Sequence, residues 1–409
     1  MAKLEFENFS FKTENENLLV RYGIRYEFTT PISSLKDIDS DIIISEKTLE
    51  FPNISEKTAE NKFNRILSKG LSNLTHKING KQIIYIDEES NIPLIGSGEF
   101  GIVDRNTNII EIKPLTGCNF SCTYCSVNEG INNKLKDILI DPYYLAEKTG
   151  EISKEKHFPV ECNIGPHGEP LLYPFMIELI ESLKEQQNVE IISVNTNGSL
   201  LTKELIDKMF DAGLSRINLS LNSLDQETLD KMNGSKFPLK HILNMIEYCK
   251  EKKYPVLLAP LVVPSFNDDP VKDIEPLVKL AKTIHSPFPT IGFQKFLIYK
   301  GGRNPVKKEQ SFNDFFNLLK PFEEKYDLIL TPKKDYNPFN IFEDKTLEKP
   351  MMKNHKIKVE IIGKGRTPKE TLCKANNRII TVRGLEKTKG STTIKLIRDK
   401  HNIFIGVPL

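Results

Sequence analysis

The sequence predicts an α/β protein whose central part contains six βα units built around a parallel sheet. Short apolar, β-branched runs alternate with amphipathic stretches there, and in one stretch Met176, Leu179, Ile180 and Leu183 recur at helical spacing. Strands that alternate with helices of this length form parallel sheets. The predicted strands are 109–112, 160–164, 189–194, 216–221, 256–263 and 291–296.

The region before this core, residues 1–107, is predicted to be a mixed α+β extension. A helix is expected over 57–71 and a strand over 82–86. The glycine-rich run from Ile95 to Val103 copies a loop of protein kinases, but neither H-R-D nor D-F-G follows it in the chain. A lone glycine pattern of this kind indicates a turn between two strands.

After the core domain of 108–330, residues 331–350 carry three prolines among charged residues, which predicts a linker. The last part, residues 351–409, contains short predicted strands separated by glycine or charged turns. About sixty residues of this kind predict a small closed or nearly closed β-barrel of OB-like size. The predicted strands are 357–362, 379–382, 392–398 and 403–407.

The charge of the chain is divided unevenly. Fourteen basic and four acidic residues give 351–409 a net charge of +10, whereas the whole chain carries +2, so the remainder carries −8. Such a division predicts a polyanion-binding module attached to a mildly acidic enzyme. The candidate phosphate contacts are Lys395, Arg398 and Lys400.

The composition is that of a soluble globular protein, with 39% hydrophobic residues and a mean hydropathy of −0.35. No apolar run approaches the length of a membrane span, and the start of the chain lacks the apolar region of a signal peptide. Six cysteines in a chain of this size do not form a disulfide framework. We therefore expect a cytoplasmic protein without a membrane partner.

Three cysteines, Cys118, Cys122 and Cys125, follow the first predicted core strand with the spacing C-x3-C-x2-C. A zinc site would need a fourth cysteine or histidine nearby, and the loop through Asp141 offers neither. A [4Fe–4S] cluster that only carries electrons uses four thiolates. Three thiolates leave one iron open for a reactant, as a catalytic zinc site keeps one position free.

This spacing, with an aromatic residue just before the third cysteine, resembles that of the radical SAM superfamily. The resemblance implies a partial (βα)6 barrel of the TIM type and one [4Fe–4S] cluster on Cys118, Cys122 and Cys125, with S-adenosylmethionine on its open iron. One electron, from a donor such as ferredoxin or flavodoxin, splits the sulfonium and releases a 5′-deoxyadenosyl radical. Barrel sites lie at the C-terminal ends of strands, which is where the cysteine loop begins.

Further motifs follow the later strands. The run GPHGEPLL resembles the superfamily's G-G-E-P motif, which implies that Glu169 and the backbone at Gly168 hold the cofactor's ammonium group. His167 stands where the first glycine is usual. Its alternatives are a hydrogen bond to substrate, proton transfer, or the capping of a turn.

The run NTNGSLL implies that Thr196 and Asn197 orient cofactor or substrate. The fourth strand resembles the family's S-L-D strand, which makes Ser220 a candidate hydroxyl for the cofactor, with Asn222 where aspartate is usual. Tyr124 and Val262 are expected beside the adenine. The cysteines at 162, 249 and 373 are widely scattered, so the sequence does not support an auxiliary cluster.

The order of these motifs, with the C-terminal run IRDKHNIFIGVPL, resembles a group of archaeal radical SAM proteins that carry a TRAM-like C-terminal domain. TRAM domains elsewhere belong to enzymes that modify tRNA or rRNA, so the resemblance implies an RNA substrate, with tRNA as the first candidate. The alternative is a small metabolite, a cofactor precursor or a peptide. NTNGSLLT and SLNSLDQETLDKMNG also resemble the GTP cyclase of molybdopterin synthesis, whose second cysteine cluster this chain lacks.

Overall fold

The computed structural model describes residues 1–6, 8–23, 25–77, 80, 82–130, 135–165, 167–333 and 337–409. Pro166 of the GPHGEPLL motif and residues 334–336 of the predicted linker therefore lie outside the described residues. The described chain forms an α+β N-terminal part, a central parallel sheet flanked by helices, and a small closed barrel. The predicted fold class is confirmed.

The N-terminal part consists of two small antiparallel sheets and a helix that packs on them. The strand orders are β1-β6-β5 and β2-β3-β4-β7, and helix α2 begins after Ser55, whose hydroxyl accepts a hydrogen bond from the Thr58 amide. The elements are β1 (Ala2–Glu5), β2 (Phe9–Glu14), β3 (Asn17–Tyr22), β4 (Tyr26–Pro31), α1 (Ile32–Lys36), β5 (Ile43–Ile44), β6 (Thr48–Phe51), α2 (Glu56–Leu71), β7 (Thr75–His76) and β8 (Ile84–Ile86).

The central sheet has the order β15-β14-β13-β12-β10-β9. All neighbours pair in parallel except β9, which runs antiparallel to β10 at the edge. The strands are β9 (Gly101–Asp104), β10 (Ile109–Lys113), β11 (Ile138–Ile140), β12 (Val160–Ile164), β13 (Val189–Thr196), β14 (Arg216–Leu219), β15 (Val256–Leu258), β16 (Leu261–Val262) and β17 (Gln294–Lys295). The helices are α3 (Pro142–Ser153), α4 (Met176–Lys184), α5 (Lys203–Asp211), α6 (Gln226–Asn233), α7 (Leu239–Lys252), α8 (Glu275–Lys282) and α9 (Phe312–Tyr326).

The last two predicted core strands are shorter than expected. The run 256–263 is divided into β15 and β16 around Pro260, which has no amide hydrogen to donate to a sheet. The run 291–296 contributes one parallel bridge, between Leu258 and Ile291, and the short strand β17 beside β16. The sixth unit therefore continues the sheet through isolated contacts rather than through a full strand.

The described part of the predicted linker does not extend freely into solvent. The Asn108 amide donates to the Phe342 carbonyl at 3.1 Å, and the Phe342 amide donates to the Asn108 side chain at 2.8 Å. Lys156, whose side chain forms a buried ion pair with Asp104 at 2.9 Å, also donates to the Lys345 carbonyl at 2.7 Å. This segment satisfies buried polar groups at the N-terminal ends of the sheet strands.

The C-terminal part is a closed five-stranded barrel with the order β18-β19-β20-β22-β21. Its own core includes Val359, Ile380, Val382, Leu396 and Phe404. Its assignment to the TRAM class stays a prediction. The strands are β18 (Lys356–Lys364), β19 (Glu370–Ala375), β20 (Arg378–Arg383), β21 (Ser391–Arg398) and β22 (Ile405–Pro408).

The glycine-rich run near residue 96 joins this barrel to the core. The Ile95 carbonyl accepts from the Ile379 amide at 2.8 Å, and the Gly96 carbonyl accepts from the Phe404 amide at 2.9 Å. Gly96 has φ +131°, and a Cβ there would lie 2.1 Å from the Ile379 carbonyl oxygen. The expected turn is therefore present, and its glycine permits close backbone contact between the two parts.

Within the described residues, no helix combines the length and the apolar character that crossing a membrane requires.

Candidate active site

A cavity of about 380 Å³ lies at the C-terminal ends of the central strands. Its wall includes the three thiols of Cys118, Cys122 and Cys125 and the carboxylate of Glu169. The expected residues Tyr124, His167, Gly168, Thr196, Asn197, Ser220 and Asn222 also line it. The structure thus brings together the residues that the motifs after β10, β12, β13 and β14 predicted, because parallel strands end at one edge.

The cysteine loop follows β10 and is held by the C-terminal end of α6. The Thr123 amide donates to the Met232 carbonyl at 2.8 Å, and the Cys122 thiol donates to the Asn233 side-chain carbonyl at 3.2 Å. Asn233 is buried and donates in turn to the Leu229 carbonyl. The position of the loop is therefore determined by a helix more than one hundred residues later in the sequence.

Arg303 holds the same loop from the other side. Its Nη1 donates to the Cys122 carbonyl at 2.7 Å, its Nε donates to Asn128 Oδ1 at 2.8 Å, and its Nη2 donates to the Glu129 carbonyl at 2.5 Å. The Arg303 amide also donates to the Cys125 carbonyl at 2.8 Å. The planar guanidinium has the several donors that such a contact requires.

The donor set suits an iron–sulfur cluster better than a single metal ion. Among the described residues, no three His, Cys, Asp or Glu side chains form a group that could hold one ion, whereas in a four-iron cluster each thiolate binds a different iron. Burial raises the pKa of the Cys122 thiol to about 11 and also raises that of Cys118. Metal binding would stabilise these thiolates. Cys118, Cys122 and Cys125 would hold the cluster.

Glu169 is a buried carboxylate fixed by three donors. Its Oε1 accepts from the Leu171 amide at 3.0 Å and from the Thr196 hydroxyl at 2.6 Å, and its Oε2 accepts from the Asn197 amide at 2.8 Å. Burial nevertheless raises the pKa of Glu169 to about 7. Among the described residues, no cation lies within ion-pair distance of it, so the site suits a ligand's ammonium group.

Gly168 allows the Glu169 loop to approach the cysteine loop. It has φ +75°, and a Cβ there would lie 2.2 Å from the Gly117 carbonyl oxygen. That same oxygen accepts from the Glu169 amide at 3.0 Å. A side chain at position 168 would therefore separate the carboxylate from the cluster loop.

The TNG run acts on the site through its neighbours. The Thr196 hydroxyl orients Glu169, as described, and accepts from the Gly198 amide at 2.9 Å. The Asn197 side chain donates to Asn119 Oδ1 at 2.9 Å and accepts from the Ser199 hydroxyl at 2.6 Å. Asn119 lies beside Cys118, so this network connects the loop after β13 with the cysteine loop.

Tyr124 and Asn222 form a bracket across the cavity. The Asn222 amide group donates to the Tyr124 hydroxyl at 2.6 Å, and its Oδ1 accepts from the Leu261 amide at 2.8 Å. Asparagine supplies both a donor and an acceptor here, which the usual aspartate would not do. Val262 is fully buried outside the cavity wall, and Leu261 lines the wall instead, because adjacent strand residues point to opposite faces.

The floor of the cavity consists of carboxamides. Asn195 and Asn218 line it, and the Asn218 Nδ2 donates to Asn195 Oδ1 at 2.8 Å. Below them Arg216 donates to Asn218 at 2.7 Å and pairs with Glu161 at 2.6 Å. The two buried charges neutralise each other, so the floor presents polar groups without net charge.

His167 is buried in a cluster that the sequence did not predict. Its Nε2 lies 2.9 Å from Glu129 Oε1 and 3.1 Å from Arg366 Nη1, and Arg366 Nη2 lies 2.6 Å from the same Glu129 oxygen. Burial and the Arg366 charge lower the pKa of His167 to about 4. Burial opposes ionisation of Glu129, but contacts with His167 and Arg366 lower its pKa to about 2.

The remaining candidates lie elsewhere. Lys395, Arg398 and Lys400 are exposed on the C-terminal barrel and do not line the cavity. The cysteines at 162, 249 and 373 are buried and unpaired, and they do not line the cavity either.

Sequence reasoning missed Glu129, Asn233, Arg303 and Arg366. Each is a single residue in a region without a recognisable motif, so no spacing in the sequence marks it.

A parallel-sheet barrel with three thiols and a buried carboxylate at its strand ends defines a cofactor-dependent enzyme. The family model described as the Radical SAM superfamily matches residues 112–277. "Uncharacterized protein MJ0103" of Methanocaldococcus jannaschii is 33% identical over 425 residues, covering 97% of this chain and 96% of the relative. The chain belongs to the radical SAM superfamily, and it is an enzyme that uses a [4Fe–4S] cluster and S-adenosylmethionine.

Two further comparisons cover mainly the central part. GTP 3′,8-cyclase of Rippkaea orientalis is 27% identical over 244 residues, which is 57% of this chain and 69% of the relative. The solved structure "Structure of TYW1 with a lysine-pyruvate adduct bound" shares 20% identity at a TM-score of 0.41, over 56% of this chain and 77% of that chain.

Proposed function

We propose that this radical SAM enzyme modifies a nucleotide in tRNA or another structured RNA, which the C-terminal barrel grips by its phosphates. The observation that carries the proposal is a pair of lysines in register on the outside of that barrel. Lys356 of β18 stands directly opposite Lys395 of β21, and both side chains are exposed. Like charges directly opposite each other destabilise a sheet unless an anion neutralises them.

Other basic residues extend this surface, which we call the lysine face: Lys356, Lys358, Lys395, Arg398 and Lys400. All five are exposed. The acidic residue that follows on β18, Glu360, lies 3.6 Å from Lys374 instead. Within the described residues, no carboxylate lies within ion-pair distance of the lysine face. A polyanion would therefore find positive charge that the protein does not neutralise itself.

The cavity supports a nucleotide substrate. Its carboxamide floor, formed by Asn195 and Asn218, carries donors and acceptors without net charge, which matches the edges of a nucleobase better than a carboxylate or a phosphate. When bound, the cluster and S-adenosylmethionine supply one-electron chemistry, with an electron from a donor such as ferredoxin or flavodoxin. Glu169 would hold the ammonium group of S-adenosylmethionine, and Tyr124 and Ser220 would line its site.

A free nucleotide or another small molecule is the second candidate substrate. It is favoured by the likeness of the central part to GTP 3′,8-cyclases, which extends over 57% of this chain in the relative from Rippkaea orientalis. This candidate gives the lysine face no role. The two candidates therefore differ in what charge changes on the C-terminal barrel do.

The test is charge reversal at the opposed lysines. Lys356→Glu alone converts a repulsive pair into an attractive one, so it should stabilise the barrel by about 0.2–1 kcal/mol while weakening RNA binding. Lys356→Glu/Lys395→Glu retains a like-charge pair and should weaken binding further. For every phosphate that the protein no longer neutralises, the slope of log affinity against log salt should fall by about 0.7–0.9. Affinity is measured by filter binding of tRNA transcripts at several salt concentrations.

The control is Lys57→Glu/Lys62→Glu, which makes the same charge change at exposed positions on α2. It should leave both affinity and salt slope close to those of the parent. Equal affinity of the parent and the Lys356→Glu/Lys395→Glu protein for tRNA would remove the lysine face from the proposal and favour the small-molecule substrate. Comparison of total tRNA nucleosides from a deletion strain and its parent would then test the substrate class directly.

A further inference from the structure

The C-terminal barrel contributes a side chain to the group of residues around the cavity. Arg366 lies in the turn between β18 and β19, and its side chain is 1% exposed. Its Nε donates to the Lys136 carbonyl at 2.8 Å, and its own carbonyl accepts from the Lys136 amide at 3.3 Å. The guanidinium then reaches Glu129 and His167, both of which line the cavity.

The contacts of His167 decide which ring nitrogen carries the proton. Glu129 is ionised at neutral pH because its pKa is about 2, so a carboxylate oxygen lies 2.9 Å from Nε2. That distance requires a hydrogen on Nε2, which donates to Glu129. Because a neutral imidazole carries one N–H, Nδ1 retains its lone pair.

Nδ1 is left without a partner. It is buried, and it has no hydrogen-bond partner within the described part of the chain. A buried polar atom of this kind costs free energy until a ligand or a water bonds to it. Since His167 lines the cavity, a substrate group there is the natural partner.

We propose that Arg366 is a positioning residue of the active site. With Glu129 it fixes His167 as the Nε2–H tautomer, so that Nδ1 is the acceptor for a substrate N–H or O–H. In the transfer, that substrate bond breaks, an Nδ1–H bond forms, and Glu129 balances the charge of the imidazolium. This inference does not depend on the substrate being RNA, because it concerns residues of the cavity itself.

The test is nitrogen NMR of the cluster-loaded protein labelled with 15N-histidine. The chain has seven histidines, and the signals that disappear in His167→Gln identify those of His167. In the parent, His167 should remain neutral with its proton on Nε2 from pH 8 down to below pH 6. A proton on Nδ1 at neutral pH in the parent would overturn the proposal without any variant.

Arg366→Gln supplies the second measurement. It removes the positive charge that disfavours the imidazolium while Glu129 keeps its negative charge, so the proton affinity of His167 should rise at least tenfold. Arg366→Lys retains the charge and should restore most of the low affinity. Arg383→Gln is the matched control, since Arg383 is on the same barrel but pairs with Glu370. It should leave the His167 titration unchanged.

If Arg366 merely attached the barrel to the core, Arg366→Gln would lower the melting temperature without moving the His167 titration. That outcome would reduce Arg366 to a docking contact and overturn the proposal. If Arg366→Gln fails to fold, the parent tautomer and the Arg366→Lys titration still decide the question.

Discussion

Glu169 shows how a single buried group depends on a ligand that it has yet to bind. Three donors hold its carboxylate, but burial keeps its pKa near 7, well above the ordinary value of 4.5. The folded protein without cofactor therefore holds a proton on Glu169 that the unfolded chain releases at lower pH. A cationic ligand would favour the ionised carboxylate.

This shift predicts a pH dependence of stability in protein prepared without the cofactors. Because the folded pKa is raised, the native state binds the extra proton between about pH 4.5 and 7, and the free energy of unfolding falls as pH rises through that window. The loss is on the order of 3 kcal/mol for a shift of this size. Urea unfolding at several pH values would measure it.

Glu169→Gln provides the comparison, since glutamine cannot ionise. The slope of unfolding free energy against pH should be less negative in this variant across the same window, whatever its absolute stability. Identical slopes for the two proteins would mean that Glu169 is not the titrating group. The variant should also lose affinity for S-adenosylmethionine, because its neutral side chain no longer attracts the ammonium.

Residue-level prediction from sequence succeeded where a residue belongs to a motif. The three cysteines, Glu169 and Thr196 all line the cavity that their motifs implied. Glu129 and Arg366 could not be found, because their contact joins positions distant in sequence and neither has a characteristic neighbour. His167 was named as a candidate, but its environment became visible only with those two partners.

At the scale of elements, the cysteine loop is held by α6 on one side and by the segment after β17 on the other. Arg303 donates to three carbonyl-type oxygens of this loop. A hydrogen bond from a charged donor contributes roughly 1.5–3 kcal/mol. The loop therefore has a defined conformation before any cluster is bound.

Arg303→Lys should make the cluster easier to lose, because an ammonium cannot contact all three oxygens at once. We expect less iron per chain after anaerobic reconstitution and faster bleaching of the cluster absorbance in air. Lys308→Ala changes an exposed residue of the same segment and serves as the control. The same iron content and bleaching rate in Arg303→Lys and in the control would show that the cysteine loop does not need this contact.

Element prediction was accurate for the four apolar strands from β10 to β14 that carry the site. It missed β19, whose sequence ETLCKA contains two charges and only short apolar runs. It also missed β9, because a four-residue edge strand inside a glycine-rich run lacks a clear period. The barrel confers strand structure on β19 by pairing it on both sides.

At the scale of the whole molecule, the backbone contact at Gly96 connects the C-terminal barrel with the core. Gly96→Ala would bring a Cβ to within 2.1 Å of the Ile379 carbonyl oxygen. The added atom also meets an unfavourable φ, so docking should weaken by more than about 3 kcal/mol. The two hydrogen bonds from Ile379 and Phe404 should then break.

Limited proteolysis would detect this undocking as faster cleavage within 331–350. Gly363→Ala is the control, since that glycine lies in the same barrel, has ordinary backbone angles, and leaves the place of an added Cβ with no other atom within 4 Å. It should be cleaved like the parent. Equal resistance of Gly96→Ala would show that other contacts, among them those of Arg366, suffice to hold the barrel in place.

The contact between Arg366 and Glu129 also has a consequence for the order of events during synthesis. The ribosome makes the cysteine loop about 240 residues before Arg366, and at 5–20 residues per second that interval lasts roughly 12–48 s. Throughout it, the nascent chain exposes its three thiols while one wall of the cavity has not yet been made. Delivery of iron and sulfide by an assembly factor has its easiest access in that interval, before the chain encloses its own cofactor.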